Sequence, residues 1–341
     1  MERNYDKRKP EPALKLINME TVEVEQIEWL LYPFIPYGKL TIIQGDPGEG
    51  KTTMVLQIIA KLTKGEEVFT DGGNDNGSEE KEDEVPAQKY EPVNVIYQTA
   101  EDGLGDTIKP RLLAAGADCS RVLVIDDREQ PLTLQDYRLE EAIVRTKARL
   151  VVLDPLQGFL GADVDMHRAN EIRPLMKRVS ELAEKYHCAI ILIGHMNKNS
   201  GVKSSYRGLG SIDFQAAARS VLLIGRVKDE PDIRVVCHIK SSLAPEGKSI
   251  AFRLDKETGF EWIGEYDVNA DELLSGDNRG SKLKAAAEFL EEMLEDGQVF
   301  QKEIEEAAQS RGIKSKTLWN AKKKLNVKSV KVGSQWAREL P

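Results

Sequence analysis

Residues 44–53 constrain the fold of this chain more than any other stretch. They read QGDPGEGKTT and contain the pattern G-x-x-x-x-G-K-[ST]. An apolar run at 40–43 precedes them, and apolar residues at helical spacing follow at 54–60. A phosphate-binding loop requires this context of strand, loop and helix. The alternative is a simple glycine-rich turn before a helix, which the complete motif and its flanks disfavour.

The residue types in this loop suit phosphate chemistry. Glycines let the backbone curl so that its amides face phosphate oxygens, and the start of the next helix adds its dipole. We expect Lys51 to reach the β- and γ-phosphates and the Thr52 hydroxyl to bind Mg²⁺. The predicted nucleotide-binding residues are Gly45, Pro47, Gly48, Glu49, Gly50, Lys51, Thr52 and Thr53.

Composition is that of a globular protein. Hydrophobic residues make up 40% and charged residues 31% of the 341 positions. A net charge of −9 argues against a surface that binds polyanions everywhere. No apolar run reaches the roughly 20 residues of a membrane helix, so we expect a cytoplasmic protein. Cys119, Cys188 and Cys237 lack C-x-x-C spacing, which indicates neither a disulfide framework nor a zinc site.

Two apolar runs, at 92–98 and 150–153, are followed by carboxylates. Open α/β sheets bind ligands at the carboxyl ends of their strands. Glu101, after the first run, is therefore a candidate general base that orients or activates water. An exposed acidic turn or a helix cap remains the alternative for Glu101, because spacing alone does not decide. Asp154, which closes the second run, is a candidate Mg²⁺ ligand through water.

A further apolar run at 188–193 leads to His195, which is placed to contact a γ-phosphate. The other histidines, His167, His187 and His238, are interpreted as surface or packing residues. The following loop, 198–211, is rich in Gly and Ser and has no acidic residue. Its basic residues are Lys198, Lys203 and Arg207. Such a loop suits contact with a nucleic-acid backbone, and a solvated loop is the alternative.

Shifts in composition predict the domain organisation. The ATPase-type α/β unit is expected at 27–265, after an N-terminal extension at 1–26, and its strands end in an antiparallel meander. A strongly acidic insertion at 71–91 cannot bury apolar surface. A polar stretch at 266–281 predicts a linker, and 282–341 predicts a separate small domain.

The pattern of the last domain is helix, turn, helix and an alternating β-type tail, which predicts a winged helix-turn-helix. From Arg311 onward the chain is strongly basic, with Glu339 as the one acidic residue. Lys316, Lys322 and Lys323 lie on the predicted recognition helix and are candidate DNA contacts. A protein-interaction module whose lysines are solvated is the alternative.

With these motifs in hand, residues 27–265 resemble the RecA-like ATPase core of hexameric plasmid and phage replicative helicases, in particular the RepA-like branch. The phrases that carry the resemblance are IPYGKLTIIQGDPGEGKTT, TAEDG and LDPLQ. The resemblance implies a RecA-like fold with a mostly parallel sheet, ATP and Mg²⁺ as ligands, and a ring of subunits, expected to be a hexamer, that acts on single-stranded DNA.

The resemblance also implies residue roles. Glu101 is implied as the catalytic carboxylate, His195 as the sensor of the γ-phosphate, and 198–211 as the loop facing DNA. Arg219 is similar to the place where this branch supplies an arginine finger to the neighbouring subunit. Related helicases often carry Lys-x-Arg after the penultimate strand, whereas Lys240 is followed by two serines here, so Arg207 remains an alternative finger.

The sequence therefore predicts an ATP-hydrolysing ring motor on single-stranded DNA, interpreted as a replicative helicase of a phage or mobile element. Two other functions remain open. One is a recombination mediator or loader that uses the same core as a nucleotide switch. The other is a DNA-binding regulator whose oligomerisation ATP controls.

Overall fold

The computed structural model describes residues 14–69, 90–196, 212–228, 230–255, 257–275, 279–295, 297–313, 315–332 and 335–340. Residues 71–89 of the predicted acidic insertion and the basic loop at 198–211 lie outside these ranges. Within them, no helix combines the length and apolar character needed to cross a membrane.

The strands, in chain order, are β1 (Trp29–Leu31), β2 (Ile35–Pro36), β3 (Leu40–Gly45), β4 (Val95–Thr99), β5 (Val122–Leu123), β6 (Leu150–Asp154), β7 (Ala189–His195), β8 (Ser220–Val227), β9 (Glu230–Ser241), β10 (Ile250–Asp255), β11 (Gly259–Glu265), β12 (Val299–Phe300), β13 (Lys328–Val332) and β14 (Gln335–Glu339). The α-helices are α1 (Lys51–Lys64), α2 (Lys109–Ala114), α3 (Tyr137–Thr146), α4 (Ala169–Tyr186), α5 (Ile212–Ala217), α6 (Ala270–Ser275), α7 (Arg279–Leu294), α8 (Gln301–Ser310) and α9 (Ser315–Lys324).

The described residues form one large sheet with the strand order β11-β10-β9-β8-β3-β7-β6-β4-β5. The six strands from β8 to β5 in this order pair in parallel. The remaining three continue the sheet as an antiparallel meander. The predicted α/β fold, with a mostly parallel sheet that ends in an antiparallel meander, is confirmed.

Helices cover both faces of the parallel part, which explains its continuous apolar runs. In β6, Val151 and Leu153 pack into the cluster formed with α3 and α4. Leu150 and Val152 point the other way, into the cluster formed with α1. Successive side chains of a strand alternate between faces, so every position in β6 must be apolar until the strand reaches Asp154.

One edge strand is shorter than its sequence suggests. The apolar run at 122–126 predicts a strand, but pairing in β5 stops at Leu123. Beyond Leu123, the side chain of Gln98 hydrogen-bonds to the backbone of Ile125. Gln98 Nε2 donates to the Ile125 carbonyl at 3.1 Å, and Gln98 Oε1 accepts from the Ile125 backbone amide at 3.0 Å. A buried side chain thus replaces the backbone ladder at this edge.

Apolar residues recur at helical spacing over 134–146, but α3 begins only at Tyr137. Asp136 has extended backbone and caps α3, since its carboxylate accepts a 2.9 Å hydrogen bond from the Arg138 amide. Leu134 is fully buried outside the helix. Its apolar character therefore reflects core packing rather than helical periodicity.

The first half of the predicted linker packs against the sheet. Val268 and Leu273 are buried in a cluster with residues of β8 and β9. A Cβ on Gly225 of β8 would lie 2.9 Å from Leu273 Cγ, so glycine makes room for α6. The domain boundary itself stays a prediction, and this packing favours a boundary after α6.

The described C-terminal residues contain three helices and a small antiparallel sheet. The chain order is α7, β12, α8, α9, β13 and β14, and the sheet order is β12-β14-β13. A separate cluster, which includes Leu290, Ile304 and Leu318, holds the three helices together. Lys324 of α9 forms an ion pair of 3.2 Å with Asp267, just before α6.

Candidate active site

Four neighbouring strands bring the predicted site residues to one edge of the sheet. Gly45, at the end of β3, pairs in register with His195 at the end of β7. Thr99, at the end of β4, pairs with Asp154 at the end of β6. The carboxyl ends of parallel strands form the ligand-binding edge of an α/β sheet. The phosphate-type loop, His195, Asp154 and the loop that carries Glu101 therefore share this edge.

The loop after β3 has the backbone geometry that its glycines allow. Gly48 and Gly50 have φ angles of 79° and 84°, values that favour glycine. A Cβ on Gly45 would lie 2.2 Å from the carbonyl oxygen of Ile224, so this position also requires glycine. Asp46, Pro47 and Gly48 form the exposed tip, and Glu49 and Gly50 are partly buried.

The start of α1 offers amides to a ligand. The first helical hydrogen bond is donated by Met54 to the Gly50 carbonyl at 2.9 Å. The amides of Lys51, Thr52 and Thr53 precede it, and such leading amides have no acceptor within a helix. Together with the helix dipole they form a binding site for an anion.

The Lys51 ammonium is folded back onto the loop. It donates to the carbonyls of Gly45 at 2.9 Å and Asp46 at 2.8 Å, and only 5% of the residue is exposed. Burial lowers the pKa of Lys51, while the nearby charge of Asp154 opposes this shift. A phosphate oxygen is a stronger acceptor than these carbonyls, so Lys51 is set to turn toward a bound phosphate.

Asp154 accepts two hydrogen bonds from hydroxyl groups. Thr52 Oγ1 donates to its Oδ2 at 2.6 Å, and the Tyr97 hydroxyl donates to the same oxygen at 2.9 Å. Asp154 is 7% exposed, and burial raises its pKa although both hydroxyls and Lys51 act against this. A hydroxyl and a carboxylate at this separation suit a hard divalent cation, which prefers oxygen ligands.

Tyr97 is a site residue that sequence reasoning missed. It is fully buried in β4, and burial together with the charge of Asp154 raises the pKa of its phenol. The only signal in the sequence was a hydroxyl-bearing side chain within an apolar strand. Its partner could not be named, because Asp154 lies 57 residues further along the chain.

Glu101 and His195 meet at the same edge. Glu101 Oε2 lies 3.8 Å from His195 Nε2, and the Glu101 side chain is 65% exposed. Gln157 Nε2 donates to the His195 carbonyl at 3.5 Å. Among the described residues, the buried atoms His195 Nδ1 and Gln157 Oε1 have no hydrogen-bond partner. Since buried polar atoms normally have partners, these two atoms leave hydrogen-bonding capacity unused at this edge of the sheet.

The side chain of Glu49 turns away from the loop and toward two arginines. Its Oε2 lies 3.8 Å from Arg226 Nε and 3.8 Å from Arg234 Nε. The two arginines face each other across β8 and β9. Burial and the charge of Arg226 lower the pKa of Arg234. Glu49 thus contributes its backbone to the loop, while its carboxylate fastens the loop to the antiparallel meander.

Arg219 lies at the amino-terminal ends of the parallel strands, whereas this site lies at their carboxyl ends. Its amide donates to the Leu40 carbonyl at 3.0 Å, so it stands at the start of β3, whereas the loop follows the end of β3. Its side chain is exposed. Arg219 and Lys51 of one chain are therefore not brought together.

Lys240 has a structural role. Its ammonium donates to the carbonyls of Gln215, Ala216 and Ala218 at 2.8, 3.0 and 2.7 Å. These carbonyls are at the C-terminal end of α5, where a helix has unpaired acceptors. Lys240 thus caps α5 instead of extending toward a neighbour.

The predicted DNA contacts are only partly described. Lys198, Lys203 and Arg207 lie outside the described residues, as does the side chain of Lys316. The other two lie on α9, where Lys323 is exposed beside Trp319 and Lys322 is half-buried beside Arg338.

Three comparisons relate this chain to known proteins. A family model described as "AAA domain" matches residues 7–201. Protein RecA of Anaplasma marginale (strain Florida) is 23% identical over 276 residues, which cover 76% of this chain and 68% of that protein. Protein RecA of Teredinibacter turnerae is 22% identical over 314 residues, which cover 81% and 84%. Among solved structures, one described as an ATPase domain matches with a TM-score of 0.47 at 14% identity and covers 67% of this chain and 85% of that chain.

Proposed function

This chain belongs to the AAA domain family, and from that premise we propose that it is an ATP-driven motor that assembles into a ring and acts on single-stranded DNA. The core is a RecA-like P-loop ATPase, a family that implies a bound nucleotide and usually Mg²⁺. The finer proposal is a replicative helicase of the kind carried by phages and mobile elements, with six subunits in the ring.

One observation carries the ATPase proposal. Lys51, the Thr52–Asp154 pair and the Glu101–His195 pair converge at one edge of the sheet. Phosphoryl transfer to water uses these kinds of group: a cationic side chain, two oxygen atoms that can bind a divalent metal ion, and an exposed carboxylate next to an imidazole. A turn with only a structural role has no need for this combination.

Each residue has a role in the proposed reaction. Lys51 leaves the carbonyls of Gly45 and Asp46 and donates to the phosphates. Thr52 and Asp154 hold Mg²⁺, which when bound supplies positive charge that offsets the negative charge of the phosphates. Glu101 accepts a hydrogen bond from the attacking water and orients it. His195, 3.8 Å from Glu101, responds to the presence of the γ-phosphate.

The position of Arg219 supports a site completed by a second subunit. It is exposed at the edge of the sheet opposite its own loop. In a ring built by head-to-tail contacts, the two opposite edges of neighbouring subunits can face each other. We propose that Arg219 of one subunit stabilises the charge that develops at the nucleotide of the next, as arginine fingers do.

Two basic regions support DNA as the substrate. The sequence at 198–211 carries Lys198, Lys203 and Arg207 without an acidic residue. The C-terminal residues from α9 onward are also strongly basic. Positive regions on an acidic protein concentrate binding of a polyanion on selected surfaces.

The proposal is tested by measuring ATP hydrolysis with and without single-stranded DNA, together with strand displacement. The mass of the native particle is measured with and without a non-hydrolysable ATP analogue. We expect DNA-stimulated hydrolysis, strand displacement and a ring with the analogue. DNA binding without unwinding contradicts the helicase, and a monomer under both conditions contradicts the trans arginine.

A further inference from the structure

The basic residues of the C-terminal region are concentrated from α9 onward. From α9 to β14 the basic residues are Lys316, Lys322, Lys323, Lys324, Lys328, Lys331 and Arg338, against Glu339 alone. The preceding helices lack this excess of positive charge: α7 and α8 contain Glu288, Glu291, Glu292, Glu303, Glu305 and Glu306 against Arg279, Lys282, Lys284 and Lys302. This local excess of positive charge favours binding of a polyanion at α9 and the β13–β14 hairpin.

The hairpin presents a tryptophan on the side of α9. Arg338 faces the helices, because it donates to Gln301 of α8 at 2.7 Å and its charge lowers the pKa of Lys322 on α9, after the larger effect of burial. Trp336 lies two residues before Arg338, so the alternation of a strand gives both the same face. Lys331 pairs directly with Trp336 across the hairpin, and opposite residues of an antiparallel pair share a face.

A second tryptophan lies on α9 itself. Leu318 and Ala321 of this helix are buried in the small core, whereas Trp319 is 62% exposed. The Lys323 ammonium, one turn further on, lies 5.7 Å from the centroid of the Trp319 ring. Trp336 is 54% exposed. We call Trp319, Lys323, Lys331 and Trp336 the tryptophan surface.

Exposed indole rings of this size need a reason. A tryptophan side chain that stays in water forgoes the largest hydrophobic gain available to any residue, and two exposed tryptophans occur in the basic segment from α9 to β14. Flat aromatic rings among lysines form the arrangement on which unpaired bases stack while the lysines bind phosphates. Groove edges of a duplex are read by Arg, Lys, Asn and Gln rather than by indole rings.

We propose that the tryptophan surface binds single-stranded DNA, with bases stacked on Trp319 and Trp336 and phosphates bound by Lys323 and Lys331. The inference rests on the proposed function in taking DNA as the ligand. It adds a second binding site for single-stranded DNA outside the ATPase core. Two of the four residues of this site are uncharged tryptophans, so the distribution of charge alone would not identify it. In a motor, such a site holds unpaired DNA close to the ring.

The test uses the full chain and a short oligothymidylate, with a duplex of the same length as the competing ligand. Tryptophan emission reports on the site, because a stacked base quenches the ring beneath it, and the emission of Trp29 and Trp262 is a background common to all the variants. The expected result is quenching by the single strand at a lower concentration than by the duplex. Rising salt should weaken this binding, because the lysines release counterions when they bind phosphates.

Four substitutions identify the site. Trp319→Ala and Trp336→Ala should each weaken the binding reported by emission by about tenfold, the size of one lost base stack. Trp319→Phe and Trp336→Phe should keep most of the affinity while they lose part of the quenching signal. Because both tryptophans are more than half exposed, their removal should leave the melting temperature unchanged.

Phe300→Ala is the matched control. Phe300 is a partly exposed aromatic residue of the same small sheet, but it pairs with Ala337 and so belongs to the face opposite Trp336. Its removal should leave DNA affinity unchanged. An equal loss in this variant would contradict the proposed face.

The outcomes separate this inference from the proposed function. Unchanged affinity in both alanine variants, tighter binding of the duplex, or capture of a protein partner without DNA binding overturns the tryptophan surface. DNA-stimulated ATP hydrolysis in the same wild-type sample would then leave the motor intact. Conversely, if DNA does not change the rate of ATP hydrolysis and Trp319→Ala loses the quenching, the motor is rejected and the tryptophan surface is supported.

Discussion

The Thr52 hydroxyl donates a 2.6 Å hydrogen bond to Asp154 Oδ2, and this bond joins the start of α1 to the end of β6. The two residues are 102 positions apart in the chain, and β7 lies between β3 and β6 in the sheet. A hydroxyl and a carboxylate that meet in this way offer two oxygen atoms of the type that hard cations prefer as ligands. The pair links the loop at 45–53 to the other residues of the candidate active site.

Asp154→Asn should strongly reduce ATP turnover without unfolding the protein. The amide oxygen of Asn can still accept from Thr52 and Tyr97, but it lacks the negative charge that holds Mg²⁺. We expect turnover at saturating ATP and Mg²⁺ to fall by about a hundredfold or more. Steady-state hydrolysis measures this effect. Asp126→Asn, at an exposed position, is the control, and equal turnover in the two variants would contradict the metal role.

Glu49→Gln should destabilise the protein by leaving Arg234 buried without its carboxylate partner. Removal of one member of a buried ion pair costs about 3 kcal/mol. Urea denaturation without nucleotide measures this loss. The double variant Glu49→Gln, Arg234→Met should recover most of it, because the side chain of Arg226, which also loses Glu49, is 45% exposed and no unpaired buried charge remains. Additive losses in the double variant would show that the two residues are not coupled, and Asp46→Asn serves as the control in the same loop.

Arg219→Ala and Lys51→Ala should each be inactive alone but active when mixed. In a random equal mixture, about one quarter of the interfaces join an intact loop to an intact Arg219 of the next subunit. Turnover of the mixed sample measures this complementation. Wild-type turnover in Arg219→Ala alone, or no recovery on mixing, would reject Arg219 as a finger that acts between subunits.

His238 should make stability depend on pH between 4 and 6.5. Its ring stacks on Phe34 with centroids 4.7 Å apart, and burial lowers its pKa to about 4. The unfolded chain binds a proton below its ordinary pKa of about 6.5, while the folded chain stays neutral down to about 4. Stability from this residue is therefore complete above pH 6.5 and is lost as the pH falls toward 4.

His238→Gln removes this titration. The loss of unfolding free energy between pH 7 and pH 4.5 should be smaller than in wild type by about 2–3 kcal/mol. Denaturation at the two pH values measures the difference. His167→Gln, at an exposed position, should keep the wild-type dependence. A wild-type slope in His238→Gln would contradict the assignment.

The sequence predicted the features that contiguous residues determine. The loop motif, the apolar runs and the carboxylates after them follow from local patterns, and β3, β4, β6 and β7 carry them. Because the carboxyl ends of parallel strands lie along a common edge, Asp154, Glu101 and His195 could be expected to lie close together. Their catalytic roles stay predictions until variants are measured.

Contacts that depend on the order of strands in the sheet could not be predicted from the sequence. Tyr97 meets Asp154 only because β4 pairs with β6 in register, and Glu49 meets Arg226 and Arg234 only because the meander extends the sheet beside β3. Alternating and helical patterns describe which face a residue takes, but they do not specify which strand lies next to it.

The function of Lys240 illustrates the same limit. Its position after Ile239 suggested a family motif, and the missing arginine left its role open. The structure shows an ammonium group on three carbonyls at the end of α5. Only the fold brings that helix end within reach, since Lys240 is 25 residues from Gln215.

ATP hydrolysis by Glu101→Gln tests the central claim most directly, when turnover and ATP affinity are measured in the same preparation. Gln keeps the size of the side chain and cannot accept a proton from water, so we expect turnover to fall by about a hundredfold or more with ATP affinity unchanged. A variant with unchanged affinity and lost turnover supports Glu101 as the residue that positions the attacking water. Wild-type turnover in Glu101→Gln would contradict the proposed site.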